Sequence, residues 1–269
     1  MRYVFGVPGV FALGLMLSVG CSEDGAPGFP CTEEGIRDAI AEGGGPHTFD
    51  CDGAQTVVTE FEIVIDNDVL LDGEGNLTVD GNERHRVFWI RKGVVAELRG
   101  FLVTGGTPGF QHDAGGINNN GTLTLINSTV SGNSAAEGGS IRNLRGTVTL
   151  TNMLVEDDCQ VSEGSSIVSL GYNIESPGNT CGFDQATDQV DITAAELNLG
   201  SLQDNGGPTE THALGAGSLA IDVIPEAECV DADGAPLTTD QRGEPRDSMC
   251  DVGAFEVKRR ASLAEALQP

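Results

Sequence analysis

Basic and aromatic residues are both scarce in this chain of 269 residues. Asp and Glu number 41 against 14 Lys and Arg, which gives a formal net charge of -27, and only 5% of the residues are aromatic. The acidic balance argues against nucleic acid as a partner, because a phosphate backbone would be repelled. Few aromatic residues together with 38 Gly do not suit a helix-rich enzyme, and they indicate many turns and short strands.

Recognisable metal, nucleotide and catalytic motifs are also missing. No Cys-X-X-Cys pair occurs, and His47, His85, His112 and His212 are scattered without ligand spacing, so no metal ligand is predicted. The Gly-Gly pairs precede strand-like sequence, whereas a phosphate loop requires a helix to begin there. No Ser-His-Asp set can be assigned, and no catalytic residue is predicted. Among cofactors, only calcium held by clustered turn carboxylates is left open.

The N-terminal region has the features of an export signal. Arg2 is the only charged residue before Glu23, and the apolar run of residues 10–19 is too short to span a bilayer comfortably. Residues 1–20 are therefore predicted to be a signal peptide that is removed on export.

The residues that follow resemble the cleavage site of bacterial lipoproteins. Gly20 is a small residue directly before Cys21, as in a lipobox, which implies that Cys21 carries a lipid anchor in the membrane. An ordinary signal peptide, with Cys21 in a disulfide, is the alternative. Residues 21–30 are polar with Gly and Pro and are predicted to form a tether. The chain is thus expected in a bacterial cell envelope, and Ser22 favours the outer membrane or cell surface by resemblance to lipoprotein sorting rules.

Lipidation of Cys21 would leave six cysteines, an even number in an oxidising compartment. Six cysteines can pair in fifteen ways. Pairing between neighbours is favoured, because each pair then brackets one local segment and closes a loop of about 20 residues, which contributes about 3 kcal/mol in the chain-entropy model. The predicted disulfides are Cys31–Cys51, Cys159–Cys181 and Cys229–Cys250.

One amphipathic helix is predicted after the tether. Thr32 can cap its N-terminus, and the glycines at 43–45 end it. Its apolar stripe consists of Ile36, Ala39 and Ile40. A helix with one apolar face before a series of strands is what a solenoid needs to cover its first coil.

Apolar residues then recur at a nearly constant period. Four reference leucines are separated by 27, 27 and 25 residues: Leu71, Leu98, Leu125 and Leu150. A second apolar residue lies two positions before each of them, on the same face of a strand: Val69, Ala96, Leu123 and Val148. A second strand follows with Phe101 and Val103, Ser128 and Val130, Met153 and Val155, and, after a three-residue insertion, Leu77 and Val79. A third apolar position precedes the reference leucine by about eight residues, at Ile90, Ile117 and Ile141.

The residue type at one turn recurs with the same period. Two positions after the reference leucines stand Gly73, Gly100, Asn127 and Asn152. Gly and Asn tolerate the left-handed conformation, and stacked Asn side chains can hydrogen-bond along a solenoid axis. A β-sandwich gives no reason for this recurrence. Three short strands per repeat therefore predict a parallel β-helix, with six or seven coils over ~30 Å.

Longer motifs carry a resemblance to a known family. The segments 115–117, 121–135, 138–141 and 146–152 are similar to right-handed parallel β-helix repeats of bacterial surface proteins related to chlamydial polymorphic outer membrane proteins. The C-terminal third resembles the choice-of-anchor Q domain, through LGSL at 199–202, DNGG at 204–207, Thr211 and His212, GSLAID at 217–222, DQRG at 240–243, Arg246, and CDVGAFE at 250–256.

This resemblance implies an all-β fold, a single-stranded right-handed parallel β-helix of the pectin-lyase-like type. Its domain would span residues 31–256, with the helix covering one end and a disulfide-pinned C-terminal cap at the other, and 257–269 would form a tail. Arg242 is expected to pair with a carboxylate and to pin that cap. The family brings a surface anchor but no established reaction.

The predicted function is therefore a displayed body for binding or adhesion, or a structural role, and whether the chain has any enzymatic activity is left open. Its partner would be a surface glycan or another envelope protein, recognised by outer-face residues such as Arg91, His112, Asn118 and Arg142. The alternative is a polysaccharide-acting lyase or hydrolase on a pectate-lyase-like β-helix, which needs an acidic metal cluster beside a basic residue. The acidic groups available are Asp66 with Asp68, Asp72 with Glu74, and Glu156 with Asp157 and Asp158; solvated turn residues are the favoured interpretation.

Overall fold

The computed structural model of the protein describes residues 28–51, 53, 55–109, 114–206, 210–230, 234–240 and 242–258. The predicted signal peptide, the lipidation site Cys21, most of the tether and the predicted ligand residue His112 lie outside these ranges. Within them, no helix has the length and apolar character needed to cross a bilayer.

Short strands are the predominant regular structure of the described residues, as the periodicity predicts. Residues up to 130 form β1 (Phe29–Pro30), α1 (Glu33–Glu42), β2 (Gly44–His47), β3 (Phe49–Asp50), β4 (Gln55–Val58), β5 (Ile63–Ile65), β6 (Val69–Asp80), β7 (Phe88–Ile90), β8 (Val95–Thr104), β9 (Ile117–Asn119), β10 (Thr122–Ile126) and β11 (Thr129–Val130). The rest forms β12 (Ile141–Asn143), β13 (Thr147–Thr151), β14 (Leu154–Glu156), β15 (Cys159–Val161), β16 (Ser166–Ser169), β17 (Ile174–Ser176), α2 (Ala194–Leu197), β18 (Leu199–Asp204), β19 (Glu210–Leu214), β20 (Ile224–Pro225), a 3-10 helix (Glu226–Glu228) and β21 (Met249–Cys250).

The parallel strands wind into a right-handed β-helix with three faces. The first face stacks β2, the start of β6, the start of β8, β10, β13 and β16. The second stacks β4, the ends of β6 and β8, β11, β14 and β17. The third stacks β5, β7, β9, β12 and β15. The body makes about four turns, and is therefore shorter than the six or seven coils predicted.

The predicted register of the first two faces is confirmed. Leu71 pairs with Leu98, Leu98 with Leu125, and Leu125 with Leu150, and all four side chains are buried. On the second face Leu77 pairs with Phe101 after the insertion within β6, as expected. These columns form one continuous core along the solenoid axis.

The predicted register of the third face is wrong by two residues in one coil. Ile117 pairs with Ile141 as expected, but its partner on the other side is Phe88, and Ile90 pairs with Asn119. The turn between β7 and β8 spans 91–94, two residues longer than the turn 120–121 between β9 and β10. A constant distance from the reference leucine therefore does not hold on this face.

Asparagine side chains stack at two corners of the coil. At the predicted corner Gly100, Asn127 and Asn152 all have positive φ, and Asn152 Nδ2 donates to Asn127 Oδ1 at 3.0 Å. Gly73 differs, because the insertion moves the left-handed conformation to Glu74 and Gly75. A Cβ on Gly73 would lie 2.8 Å from the Gly100 carbonyl, so close backbone approach requires glycine there.

The second asparagine ladder was not predicted from the sequence. Asn119 and Asn143 lie at the corner after the third face and are fully buried. Asn119 Nδ2 donates to Asn143 Oδ1 at 3.0 Å, and Asn119 Oδ1 accepts the N–H of Gly121 at 3.0 Å. The amides thus satisfy backbone groups that the turn leaves without a strand partner.

Both ends of the core are covered. At the N-terminal end Thr32 Oγ1 accepts the N–H of Gly35 at 3.1 Å and caps α1, whose residues Ile36 and Ala39 are fully buried against the first coil, as predicted. At the other end the chain after β17 brings Phe183 and Cys181 into the same core. The disulfides Cys31–Cys51 and Cys159–Cys181 fasten the two ends.

The buried carboxylate of Glu175 organises the closing turn at the C-terminal end. Glu175 is the partner of Val155 on the second face and is fully buried. Its carboxylate accepts the backbone N–H of Thr180 at 2.6 Å and that of Cys181 at 2.9 Å. Burial raises the pKa of Glu175, although these hydrogen bonds partly oppose that effect.

The C-terminal segment packs along the side of the solenoid. A second apolar cluster joins Leu154 and Ile174, which point outward from the second face, to Leu197, Leu214 and Val252. The disulfide Cys229–Cys250 closes this segment, which completes the neighbour-to-neighbour connectivity favoured from the sequence.

Buried ion pairs hold the segment together. Arg242 Nη2 lies 2.7 Å from Asp240 Oδ2, as expected for a pinning arginine, and its guanidinium lies 3.6 Å from the Phe255 ring centroid. Arg246 Nη1 lies 3.0 Å from Glu256 Oε2. Arg242 Nη2 also donates to the Glu256 carbonyl at 2.5 Å, so the two pairs form one network.

Asp251 makes the stability of this segment depend on pH. Burial, with smaller contributions from the charges of Glu256 and Asp222, raises the Asp251 pKa from 3.8 to about 6. The native state therefore holds this proton more tightly than the unfolded chain does. The stabilising contribution is complete below about pH 3.8 and is lost as the pH rises through about 6.

We expect the free energy of unfolding of the wild type to rise by about 2–3 kcal/mol relative to Asp251→Asn as the pH falls from 7 to 4, since one pKa unit corresponds to about 1.4 kcal/mol. Urea titrations followed by circular dichroism at several pH values measure the difference. Asp38→Asn, at an exposed position of α1, is the control. Parallel pH profiles for the wild type and Asp251→Asn would contradict the assignment.

A candidate binding groove on the third face

The outward positions of the third face form a column of functional side chains. Apolar residues on either side point into the core, as in Phe88 and Ile90, so the residue between them points outward. Register pairs place these outward residues side by side on successive strands: Val64, Trp89, Asn118, Arg142 and Gln160.

Trp89 is the single tryptophan of the chain and lies between two arginines. The Arg91 guanidinium carbon is 3.6 Å from the Trp89 ring centroid, and that of Arg86 is 5.7 Å from it. Arg86 Nη1 also lies 3.1 Å from Glu62 Oε2, and Arg86 Nε donates to the Ala114 carbonyl at 3.3 Å. Arg86 is therefore held in place, whereas Arg91 is exposed at the surface.

An open cavity of about 560 Å³ lies over this part of the face. We call it the Trp89 groove. Its walls are Phe61, Glu62, Arg84, His85, Arg86, Trp89, Pro108, Gly109 and Asn118. Its volume is in the range of sites that bind small ligands.

The Phe61 wall of the groove is positioned by the N-terminal helix. The Phe61 side chain is 70% exposed, which is unusual for a large aromatic residue. Arg37 of α1 donates to the carbonyls of Phe61 at 3.0 Å and Glu62 at 3.1 Å. The same guanidinium pairs with Glu33 at 2.5 Å, so the ring is presented on an anchored corner.

Two buried polar atoms of the groove residues have no hydrogen-bond partner. Among the described residues, nothing accepts from Trp89 Nε1 and nothing donates to Asn118 Oδ1. Asn118 is only 6% exposed, and its Oδ1 atom is inaccessible. An unpartnered buried polar group costs about 1–3 kcal/mol. Both atoms are covered in this arrangement, so a ligand recovers this free energy only if it displaces side chains at the groove, such as that of Arg91 over Trp89.

Arg142 belongs to the same column but lies one strand further along, outside the groove walls. Its Nε donates to Gln160 Oε1 at 2.5 Å, and Gln160 in turn donates to Glu137. This chain of contacts fixes the outer surface on the C-terminal side of Asn118. Arg142 therefore contributes to the shape of the face beside the groove.

The structure brings together three of the four residues proposed from the sequence as ligand contacts. Asn118 lines the groove, Arg91 covers Trp89 and Arg142 borders Asn118. Arg91 and Arg142 are not in register, because Arg142 pairs with Asn118 and thus lines up with Trp89. The sequence interpretation missed Trp89, although a lone tryptophan between two core residues was a signal for it.

The acidic groups considered for a metal-dependent enzyme do not converge. Asp66 and Asp68 follow β5, whereas Asp157 and Asp158 precede β15, at the opposite edge of the third face. Asp158 accepts the N–H groups of Gly138 and Gly139. In the described parts of the chain, no three His, Cys, Asp or Glu side chains are grouped so as to hold a metal ion.

Asp72 and Glu74 lie elsewhere, in a cavity of about 210 Å³ between the solenoid and the C-terminal segment. Burial and the neighbouring charges of Asp72 and Asp50 raise the pKa of Glu74. Arg99 and Arg246 also line this cavity, and both are already engaged, Arg99 with Glu97 and Arg246 with Glu256. We therefore interpret this cavity as a gap in the packing between the solenoid and the C-terminal segment.

Comparisons with protein-family models, with curated proteins and with solved structures give no match. The functional argument therefore rests on the geometry of the groove.

The outward position of Trp89 predicts a contrast between neighbouring residues. Phe88→Ala should lower the free energy of unfolding by about 3–5 kcal/mol, because it opens a cavity in the core. Trp89→Ala should cost about 1 kcal/mol or less, the usual value of an exposed cation–π contact. Urea denaturation followed by circular dichroism gives both numbers. Equal losses would show that Trp89 is a packing residue and not a presented one.

Proposed function

We propose that the protein is a lipoprotein of a bacterial cell envelope whose β-helix is displayed as a non-catalytic binding body. The Trp89 groove is its binding site. The observation that carries this proposal is the pair of unpartnered buried atoms, Trp89 Nε1 and Asn118 Oδ1, beside an open cavity on a rigid face. Stable folds seldom leave such groups unsatisfied, and these two, unlike the others among the described residues, belong to side chains that line an open cavity.

The anchoring half of the proposal rests on the sequence. Residues 1–20 have the features of a signal peptide, and Gly20-Cys21 resembles a lipobox. The motifs of the C-terminal third resemble the choice-of-anchor Q domain, in which a β-helix is combined with a surface anchor. The outer membrane or cell surface is the location that this combination favours.

The anchor predicts that the wild-type chain, expressed in a bacterium, incorporates radioactive palmitate and that Cys21→Ala does not. Ser22→Ala is the matched control, because it leaves the acylated thiol in place. Labelling is read by autoradiography after immunoprecipitation of the full chain. If the wild type and Cys21→Ala incorporate equally little label, the anchor is wrong, whereas the groove is unaffected by that result.

A polysaccharide-acting enzyme is the second candidate, favoured by the aromatic and basic walls of the groove. The described side chains offer it no free acid or base. Both ring nitrogens of His85 lie against carbonyls, of Arg86 at 2.8 Å and of Thr59 at 3.1 Å, and Glu62 is paired with Arg86. The two side chains of the groove that could act as a general base, His85 and Glu62, are thus already bound to other groups of the protein.

One nucleophile–base pair does exist outside the groove. Ser131 Oγ lies 3.1 Å from His212 Nε2, and His212 Nδ1 lies 2.8 Å from the Gly200 carbonyl. Ser131 has no exposed surface, however, so a substrate cannot reach its hydroxyl. The pair joins the C-terminal segment to the solenoid instead.

Incubation of the full chain with a panel of uronic-acid polymers and calcium separates the two candidates. We expect short oligomers, or polymers held through a chain end, to be retained on the protein without new reducing ends or unsaturated products. Release of such products, in amounts that Trp89→Ala reduces and Arg145→Gln does not, would establish the enzyme and overturn the non-catalytic proposal. Arg145 is exposed in the turn between β12 and β13 and does not line the groove.

A further inference from the structure

We propose that the ligand of the Trp89 groove is a short acidic saccharide. This inference rests on the proposed binding function and names the chemistry that the groove recognises. It follows from three properties of the groove: its unpartnered polar atoms, its unpaired cations and its exposed aromatic ring.

The unpartnered atoms call for a donor and an acceptor close together. Trp89 Nε1–H needs an acceptor and Asn118 Oδ1 needs a donor, and the two residues are direct register partners on β7 and β9. A hydroxyl group provides both functions, and neighbouring hydroxyls on a sugar ring provide them at adjacent positions. A purely apolar ligand would leave both atoms unsatisfied.

The cations call for a negative charge on that ligand. Arg84 lines the groove and Arg91 covers Trp89, and neither has an ion-pair partner among the residues described here. Arg86 is balanced by Glu62. The groove wall therefore presents one exposed guanidinium group, that of Arg84, and the exposed guanidinium of Arg91 lies over Trp89 beside it, in a chain whose net charge is -27. Guanidinium matches a carboxylate in two-point geometry, as found in uronic and sialic acids.

The exposed Phe61 ring provides an apolar surface opposite these polar groups. One face of a sugar ring presents mainly C–H groups, which pack on an aromatic face. Phe61 is 70% exposed and is fixed through its backbone by Arg37, so its ring is available without rearrangement. A saccharide uses this apolar wall together with the polar atoms beside it.

The charges around the groove limit the length of the ligand. Exposed acidic residues directly precede its walls in sequence, Glu60 before Phe61 and Glu83 before Arg84. At physiological ionic strength charges interact over about 8 Å, so the two arginines act only on groups inside the groove. A long polyanion would meet the acidic surface beyond it, and a mono- to trisaccharide or a chain end would not.

A peptide fits the same site less well. Strand addition requires a free sheet edge, and β7 and β9 are paired on both sides. The groups that face the groove come from side chains, so they provide no extended ladder of backbone donors and acceptors. Acidic peptides therefore serve as a competing class in the experiment.

The experiment titrates the full chain with three sets of probes. These are uronic- and sialic-acid-terminated di- and trisaccharides, the same saccharides with the carboxylate esterified, and acidic tripeptides. Because Trp89 is the only tryptophan, its fluorescence reports occupancy of the groove directly. We expect at least one acidic saccharide to shift the emission, with an affinity at least tenfold higher than that of its ester, since the ester cannot form a charge-assisted hydrogen bond to a guanidinium group.

Variants locate the contacts and are measured by calorimetry. Arg84→Gln should weaken binding of the acidic saccharide about tenfold, and Trp89→Phe, which keeps an aromatic ring but removes the N–H donor, about threefold to tenfold. Arg145→Gln, which removes an exposed cation outside the groove, should leave the affinity unchanged. Equal weakening by Arg84→Gln and Arg145→Gln would overturn the assigned contact.

The outcomes distinguish the ligand class from the function. Equal affinity for acid and ester, or binding of acidic peptides alone, overturns the acidic saccharide but keeps the groove as a binding site. No fluorescence change with any of the three sets overturns the groove as a binding site as well, and leaves a structural role for the displayed body.

Discussion

The burial of apolar side chains between successive coils is the constraint on which the rest of this structure depends. Each coil offers only a few inward side chains, such as Leu98 and Val103, and only its neighbours can cover them. Because side chains alternate along a strand, a slip of one residue would expose the whole inward set. The register that buries Phe88 therefore also dictates that Trp89 points outward, so packing of the core determines the composition of the binding face.

This constraint explains which parts of the structure could be predicted from the sequence. The first face follows the spacing of the reference leucines, and the second follows it once the three-residue insertion in β6 is taken into account, as in the pairing of Leu77 with Phe101. The register of the third face was not predicted correctly, because the turn 91–94 is two residues longer than the turn 120–121 of the next coil. Periodicity alone does not distinguish turn residues from strand residues. The contact of Arg37 with the Phe61 corner joins residues 24 positions apart, and no local pattern reports such a contact.

Some of the many acidic residues have a structural role in the fold. Several carboxylates, including Glu175 and Asp251, are buried and serve as acceptors for backbone N–H groups that turns leave unpaired. Burial raises the pKa of both groups, so these two carboxylates become protonated at a higher pH than solvated carboxylates do. Arg84 and Arg91 have no ion-pair partner among the described residues, and they contribute a positive potential at the groove because a charge acts over about 8 Å in physiological salt.

The β-helix also holds the backbone of the groove residues in a fixed position. The backbone of β9 is hydrogen-bonded to strands on both sides, and the neighbouring Asn119 is locked into a ladder with Asn143. The register that buries Ile117 therefore fixes the point at which the Asn118 side chain leaves the backbone. In a mobile loop the same side chain would find water or a neighbour. The backbone of β9 is held by its neighbours, so a ligand bound at this face incurs little cost of ordering the main chain.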